Sequence, residues 1–398
     1  MLLRIRNASS GSVRSLSTAA SAAPYSYARL ASRALLSVRG PDSTKFLQGL
    51  VSNDVRKLQV EPSIYAALLQ ADGRYMSDIF LHRRIEDNDF WLDHPAEQTA
   101  RLRQYLKRHI LRSKLKLALP DGEHELVQVW KNPGTQADET VVAAEQWIDA
   151  QGIPLDPRVF GLGYRGVIKR EHSCPYLINY LKSIKVPSEL FAEASEAHYH
   201  VHRLRFSVPE NPRDFPALPL EANVDLMHGI DYKKGCYVGQ ELTARTYFKG
   251  VVRKRGVQLR LFREGEVPPS NFLPTTSDIS TLIPSPNLFP TPPPGSTLTP
   301  VPSSLSKPTG RTRPAGKLGS TLPLASPSGS TMTVGFGSVK IDSLDQTFLV
   351  SPPPPSPENE VPEDSEHDDA GPWYARAWMS EWVEFKLEED EIRKSAGA

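Results

Sequence analysis

Only two cysteines, Cys174 and Cys236, occur in 398 residues, and they form no C-x-x-C spacing. That shortage excludes a disulfide framework and any self-contained zinc or four-cysteine cluster site. Cysteine chemistry in this chain therefore uses one thiol at a time. No apolar run approaches the roughly 18 residues that a membrane-spanning helix needs, so an integral helical membrane protein is excluded. An excess of either charge is missing too: 47 Lys plus Arg stand against 46 Asp plus Glu, a formal net charge of +1. The chain as a whole thus has no field to attract nucleic acid or an anionic membrane, which counts against a nucleic-acid-binding protein. Acidic residues are absent from the first 41 positions, where Arg4, Arg6, Arg14, Arg29, Arg33 and Arg39 sit among many serines. This basic, acid-poor pattern is that of an organellar presequence, assigned to residues 1–30, and it predicts a mitochondrial matrix location.

What is abundant is proline, 36 of 398 residues, and it is unevenly placed, with fifteen between Pro268 and Pro327. Residues 264–330 are Pro/Ser/Thr-rich, and residues 351–371 join a tetraproline to an acidic patch from Glu358 to Asp369. Both stretches have too little apolar content to offset ordering entropy and are expected to be disordered surface insertions. The remainder is long enough for a substantial core.

From Asp42 the pattern turns helical, with Phe46, Leu47, Leu50 and Val51 on one stripe. Ile64 to Gln70, the turn Ala71-Asp72-Gly73-Arg74 and Tyr75 to Arg84 predict a hairpin, since Asp-Gly supplies the positive φ a tight turn requires. Asp89–Asp93, Leu115–Leu119 and Glu125–Trp130 read as strands. Pro95 precedes a helix carrying Leu102, Tyr105, Leu106 and Ile110, with basic residues near its end. Another helix is expected over about Leu190–Leu204. Beyond Gly250 the pattern predicts strands over Val251–Phe262, Thr331–Ile341 and Trp373–Leu387, suited to a small β-barrel. The fold class is α+β: residues 31–250 form one region and 251–398 a barrel interrupted by the two insertions.

The densest unusual segment is Lys233-Lys234-Gly235-Cys236-Tyr237-Val238-Gly239-Gln240-Glu241, followed by Arg245. Two glycines bracket the cysteine, fitting a tight turn that presents a side chain, and Gln240–Tyr247 reads as a helix with Gly239 near its cap. A helix amino terminus and two neighbouring lysines would favour the thiolate, the form that binds a metal or attacks an electrophile. Burial as a plain apolar residue is the alternative, and for Cys174 it is the preferred one. His228, eight residues before Cys236, invites a Cys/His hydrolase reading, but no oxyanion device accompanies it. His198, His200 and His202 alternate without completing a metal set and read as surface or packing residues. Asp156, Arg158 and Arg165 read as a buried ion-pair corner with a structural role.

Several separated segments together resemble one family: Gly40-Pro41-Asp42 with Phe46-Leu47-Gln48-Gly49 and Asn53-Asp54-Val55; Gly73-Arg74 with Asp78; the Asp156–Arg165 corner; Pro219-Leu220-Glu221-Ala222-Asn223; and Lys234 to Glu241. These are similar to the YgfZ/Iba57 family, called Caf17 in fungi, itself related in fold to the folate-dependent aminomethyltransferase of glycine cleavage. The resemblance implies a mitochondrial iron–sulfur assembly factor that helps convert [2Fe–2S] units into [4Fe–4S] clusters for client apoenzymes such as aconitase and lipoate synthase, with A-type scaffold proteins as partners. Cys236 would be a transient ligand of a [2Fe–2S] cluster shared with the partner, since one thiol supplies one of four ligands. On that reading Lys234 and Arg245 would moderate negative charge, while Gly235 and Gly239 would allow close approach. The relatives also imply a tetrahydrofolate pocket, with Glu221, Asn223, Asp78 and Asn53 as its residues. Ser77 stands where the transferase has one of two acidic residues, so the carboxylate assisting aminomethyl transfer is absent. A tetrahydrofolate-dependent one-carbon transferase is the second reading.

Overall fold

The computed structural model describes residues 24–84, 88–120, 122, 124–136, 139–150, 152–169, 191–273, 282–285, 288–301, 312–326, 329–353 and 371–395. Most of the presequence assignment and all of the Cys174 setting lie outside them, as does most of 351–371.

Strands β1 (Tyr25–Arg29), β2 (Arg33–Arg39), β3 (Ser63–Leu69), β4 (Tyr75–Arg83), β5 (Asp89–Pro95), β6 (Lys116–Ala118), β7 (His124–Lys131), β8 (Tyr164–Lys169) and β9 (Phe191–Glu193) precede residue 250. An antiparallel sheet of order β3-β4-β5-β2-β6 forms one unit, and a four-stranded sheet β8-β7-β1-β9 forms the other. The five-stranded sheet is buried on both faces. Along β3 the pleat sends Ile64, Ala66 and Leu68 against helices Ser43–Gln48 and Thr99–Ile110, while Tyr65, Ala67 and Leu69 meet Leu220, Val224 and Met227. This explains why Ser63–Leu69 is buried at every position instead of alternating. The predicted hairpin is β3–β4, and Gly73 takes φ +82° at its tip.

Six later strands close into a barrel: β10 (Lys254–Arg263), β14 (Thr331–Lys340), β13 (Gly316–Ala325), β12 (Thr297–Val301), β15 (Thr347–Ser351) and β16 (Trp373–Trp378), with β11 (Ile283–Pro284) paired to β13 outside the ring. Leu259, Leu298, Leu318, Val339 and Phe348 fill its interior.

Four expectations change. Tyr25–Arg29 is a strand paired on both sides, so the fold begins inside the residues assigned to the presequence, and Arg29 and Arg33 belong to the fold. The 264–330 stretch is not a disordered insertion throughout, because β12 and β13 within it complete the barrel. A barrel strand needs an apolar residue only at alternate positions: Leu298 and Leu318 face the interior, and past the β13 bulge Leu322 and Leu324 pack outside against Val201 and Leu204, all among residues whose average looks polar. The strand expected over Trp373–Leu387 ends at Trp378, and Glu381–Ser395 is a helix whose Trp382 packs against the core around Leu220 and Met227 and donates to the Phe206 carbonyl. In place of a helix from Leu190, β9 comes first and the helix is Glu196–Arg205.

Candidate functional site

The Cys236 loop is a short connection held from below. The Lys234 Nζ donates to the carbonyls of Gln48 (2.8 Å), Val51 (2.6 Å) and Asn53 (2.9 Å), so its ammonium caps the orphan acceptors that follow helix Ser43–Gln48. It also lies 4.9 Å from the centre of the Tyr237 ring. Burial lowers the amine to about 8, with Asp54 and Asp231 opposing. The Val238 N–H donates to the Gly49 carbonyl, and the Tyr237 N–H to Gln240 Oε1.

Gly239 caps helix Gln240–Lys249 in a left-handed conformation, φ +79°. A Cβ there would drive into the Gln70 carbonyl oxygen and approach the Leu69 side chain. On the hairpin side, a Cβ on Gly73 would come within 2.6 Å of Leu242 Cβ. The hairpin tip and the cysteine loop therefore meet glycine to glycine. A Cβ on Gly235 would meet nothing within 4 Å.

The result is an exposed thiol. It borders an open depression of about 410 Å³ lined by Gly49, Ala71, Tyr237, Val238, Gly239 and Glu241. Segments far apart in sequence, Gln48–Asn53, Ala71–Gly73 and Lys234–Glu241, thus converge on one sulfur. Accessibility agrees with the sequence reading, while Lys234 serves a different purpose from the one expected. Lys234 points into the protein, and the charged residue lining the depression is Glu241. Cys236 lies three residues before the Gly239 cap. Lys233 and Arg245 are exposed nearby in sequence. Reasoning from sequence missed Gly49 and Ala71 as lining residues, although Gly49 and Gly73 stood in the matched segments.

No hydrogen bond joins His228 to Cys236 among the described residues; His228 takes φ +59°, and its carbonyl accepts from Asn53 Nδ2. Of the three alternating histidines, His198 is exposed beside the Ser195 hydroxyl and the other two pack. His202 is buried against Trp130 and burial pushes it down to about 3, while burial and then Arg203 lower His200 to about 4.

The residues expected to hold folate divide unevenly. Asn223 Nδ2 donates to the Gly256 carbonyl and its Oδ1 accepts from the Gly256 N–H. Asn53 bonds the Tyr65 and His228 carbonyls and accepts from Lys57 Nζ. Asp78 is fully buried, paired with Arg33 at 2.7 Å and bonded to the Tyr75 hydroxyl. All three are framework here. Glu221 alone opens on a crevice of about 160 Å³ with Thr243, Thr246 and Arg253, and burial raises its carboxyl while Lys254 and Lys317 oppose. The Thr243 hydroxyl is buried there without a protein partner. This donor set suits the edge of a pterin ring, but the space is about half the lower limit for sites that enclose a whole ligand.

Between the two sheets runs a buried chain of charge. Arg33 bridges Asp78 and Asp93, Arg165 bridges Asp93 and Glu210, and Arg158 bridges Glu210 and Asp156, all at 2.6–3.1 Å. The guanidinium groups of Arg165 and Arg158 lie 4.2 and 4.8 Å from the Phe80 ring centre. Burial would raise the Asp93 carboxyl, but Arg165 and Arg33 outweigh it and hold it well below the ordinary range. The same holds for Glu210. The Asp156–Arg158–Arg165 corner is thus structural, as expected. Arg203 continues the line to Asp214, whose Oδ1 accepts the Ser320 N–H at the β13 bulge and ties this seam to the barrel.

Comparison with known proteins bears on the fold and on the relatives of the chain. Residues 31–149 match the family described as GCVT N-terminal domain. A protein of Mycosarcoma maydis named "Iron-sulfur cluster assembly factor IBA57 homolog, mitochondrial" is 37% identical over 275 residues, covering 64% of this chain and 63% of that one. The chain is a relative of the IBA57 group. A second IBA57 homologue, from Neurospora crassa and carrying the same name, is 37% identical over 254 residues, 60% of this chain and 54% of that protein. The chain thus spans somewhat more than half of the length of these IBA57 relatives. Both names include the word mitochondrial, in line with the location expected from the amino-terminal composition. In fold, the chain matches the glycine cleavage system aminomethyltransferase T of Bartonella henselae, with TM-score 0.56 and 14% identity over 91% of this chain and 87% of that one. Among the described residues no helix is long and apolar enough to cross a membrane.

Proposed function

We propose that this chain is an iron–sulfur cluster assembly factor of the mitochondrial matrix, with Cys236 as a transient ligand to a [2Fe–2S] cluster shared with an A-type scaffold protein, on the way to [4Fe–4S] clusters in client enzymes. The carrying observation is that the loop holds one thiol outward on a braced backbone. A cluster takes four protein ligands, so a solitary sulfur supplies one and the partner the rest, which makes the ligation intermolecular and reversible. The names of the relatives support the general role. Gly235 supports close approach, since the fold itself leaves the space beside it empty. Lys234 enters as a brace, not as a charge beside the sulfur.

Substituting Cys236 by Ser in cells and scoring aconitase activity and protein lipoylation tests this. Loss of both, with normal protein abundance, is expected; unchanged cluster enzymes would reject the proposal. In vitro, the purified protein mixed with a [2Fe–2S]-loaded A-type scaffold should change the visible spectrum of the cluster, and the Ser variant should not.

A tetrahydrofolate site is the second reading, favoured by Glu221 and the unpartnered Thr243 hydroxyl. Its carboxylate would accept from the pterin N–H donors. Calorimetry with tetrahydrofolate on the wild type and Glu221→Gln decides it, and equal binding removes Glu221 from the site.

A further inference from the structure

Although the whole chain is nearly neutral, residues 98–119 contain Arg101, Arg103, Lys107, Arg108, Arg112, Lys114 and Lys116 and no Asp or Glu. They occupy helix Thr99–Ile110, the turn after it and β6. Six of the seven are exposed and Arg103 is half-buried. None takes part in a described ion pair; the nearest acid by contact, Asp42, uses its carboxylate on the Lys114 backbone N–H at 2.6 Å. The helix carboxyl terminus accommodates Lys107 and Arg108, but like charges so concentrated still repel one another and give this face a positive field that attracts an acidic surface. In their midst Leu111 is 89% exposed and takes φ +44°, a conformation that bulky side chains avoid.

The helix meets the neighbours of the cysteine loop on its inner side. The Tyr105 hydroxyl donates to the Leu69 carbonyl at 3.2 Å, and Leu69 packs against Gly239 on its other side. Tyr105 and Val238 pack against the same core. The helix that carries the basic residues is thus tied to the hairpin whose Ala71 lines the Cys236 depression.

We propose that this basic face docks the protein that brings the cluster, through a carboxylate-rich rim around the partner's cluster, with Leu111 as the apolar contact at its centre. This rests on the cluster-assembly reading and adds the partner's surface chemistry to it. Two features favour a protein over other anions. The helix buries its apolar face, Leu102 and Leu106 both being fully buried, so it has no free apolar stripe to lay into a lipid surface. No exposed aromatic lies among its cations for bases to stack on, since Tyr105 is half-buried and bonded. Electrostatic docking of this kind acts mainly on association rate and is weakened by salt.

The test measures association of the full-length protein with a [2Fe–2S]-loaded A-type scaffold by surface plasmon resonance at 50 and 300 mM NaCl. Wild type should associate at least tenfold more slowly at high salt. The variant R101E/K107E/R108E/R112E, with an unchanged thermal midpoint, should lose at least tenfold at low salt and most of the salt dependence; K107A/R108A, a milder change, should lose about threefold. Leu111→Asn, which relaxes the backbone and removes the apolar contact, should speed dissociation. Cys236→Ser should keep the wild-type association rate and its salt dependence, so a failure of thiol ligation and a failure of docking are told apart. Charge variants that associate like wild type would overturn the proposal. So would binding to vesicles of phosphatidylcholine with 20% cardiolipin, or to a single-stranded oligonucleotide, that the charge variants abolish while scaffold association stays intact.

Discussion

The cysteine loop and the Glu221–Asn223 turn both carry segments singled out by the same resemblance, yet they end in opposite states. In the loop, Lys234, Gln240 and Val238 brace the backbone and the Cys236 thiol is left outside. In the turn and the residues expected beside it, the polar groups of Asn223, Asn53 and Asp78 are bonded to the chain itself and only Glu221 faces a small crevice. A matched segment can thus mark a reacting atom or the scaffold beneath it. Counting the hydrogen-bond partners of each group tells the two apart, because a side chain whose donors and acceptors are already paired inside has nothing left for a ligand.

Substitutions can sharpen that contrast. The largest effect is expected in the framework: Arg158→Met leaves the buried Asp156 without its arginine and Glu210 with Arg165 alone, and should cost about 3–5 kcal/mol, read by urea unfolding. If Arg158→Met unfolds like wild type, the seam is not what joins the sheets. Lys234→Met leaves three acceptors without their donor and should cost about 2–3 kcal/mol, a loss that a role purely as a charge beside sulfur would not produce. Gly239→Ala places a Cβ at positive φ against Gln70, and a cost of about 1–2 kcal/mol is expected from the backbone alone, together with a slower reaction of Cys236 with a thiol reagent. Cys236→Ser and Gly235→Ala should leave the unfolding midpoint where it is; the first should abolish cluster exchange and the second reduce it.

Acid acts on the framework as well. His200 and His202 titrate in the fold at about 4 and 3, below their ordinary 6.5, so the unfolded chain binds protons that the fold refuses as the pH drops below 6.5. The Glu210 and Asp93 carboxyls, held low by arginines, add their own loss once the pH falls through the ordinary carboxylate range near 4. Stability should therefore fall in two stages, first from pH 6.5 and more steeply below about 4.5, measured by urea midpoints across that range.

Much of this fold was legible in the sequence because its signals are local. The Asp72-Gly73 turn, the helical stripe through Leu102 and Leu106 and the glycine-bracketed cysteine each declare themselves within a few residues. What stayed hidden depends on distance or on averages. Arg33 meets Asp78 and Asp93 across the sheet, while its own neighbourhood reads as part of a basic leader. Strand β13 passes for low complexity because a barrel needs only every second side chain to be apolar. Lys234 sits two positions from the sulfur, yet its four-carbon stem carries the charge in the other direction, which spacing alone does not reveal.

Gly73 and Gly239 abut with no side chains between them, so the thickness of two main chains sets the gap between the hairpin tip and the cysteine turn. Only the Leu69 and Leu242 side chains press on that contact, so side chains elsewhere on either partner can be exchanged without altering the gap. The position of the sulfur is thereby insulated from most substitutions around it, while a single added methyl group at either glycine would displace it.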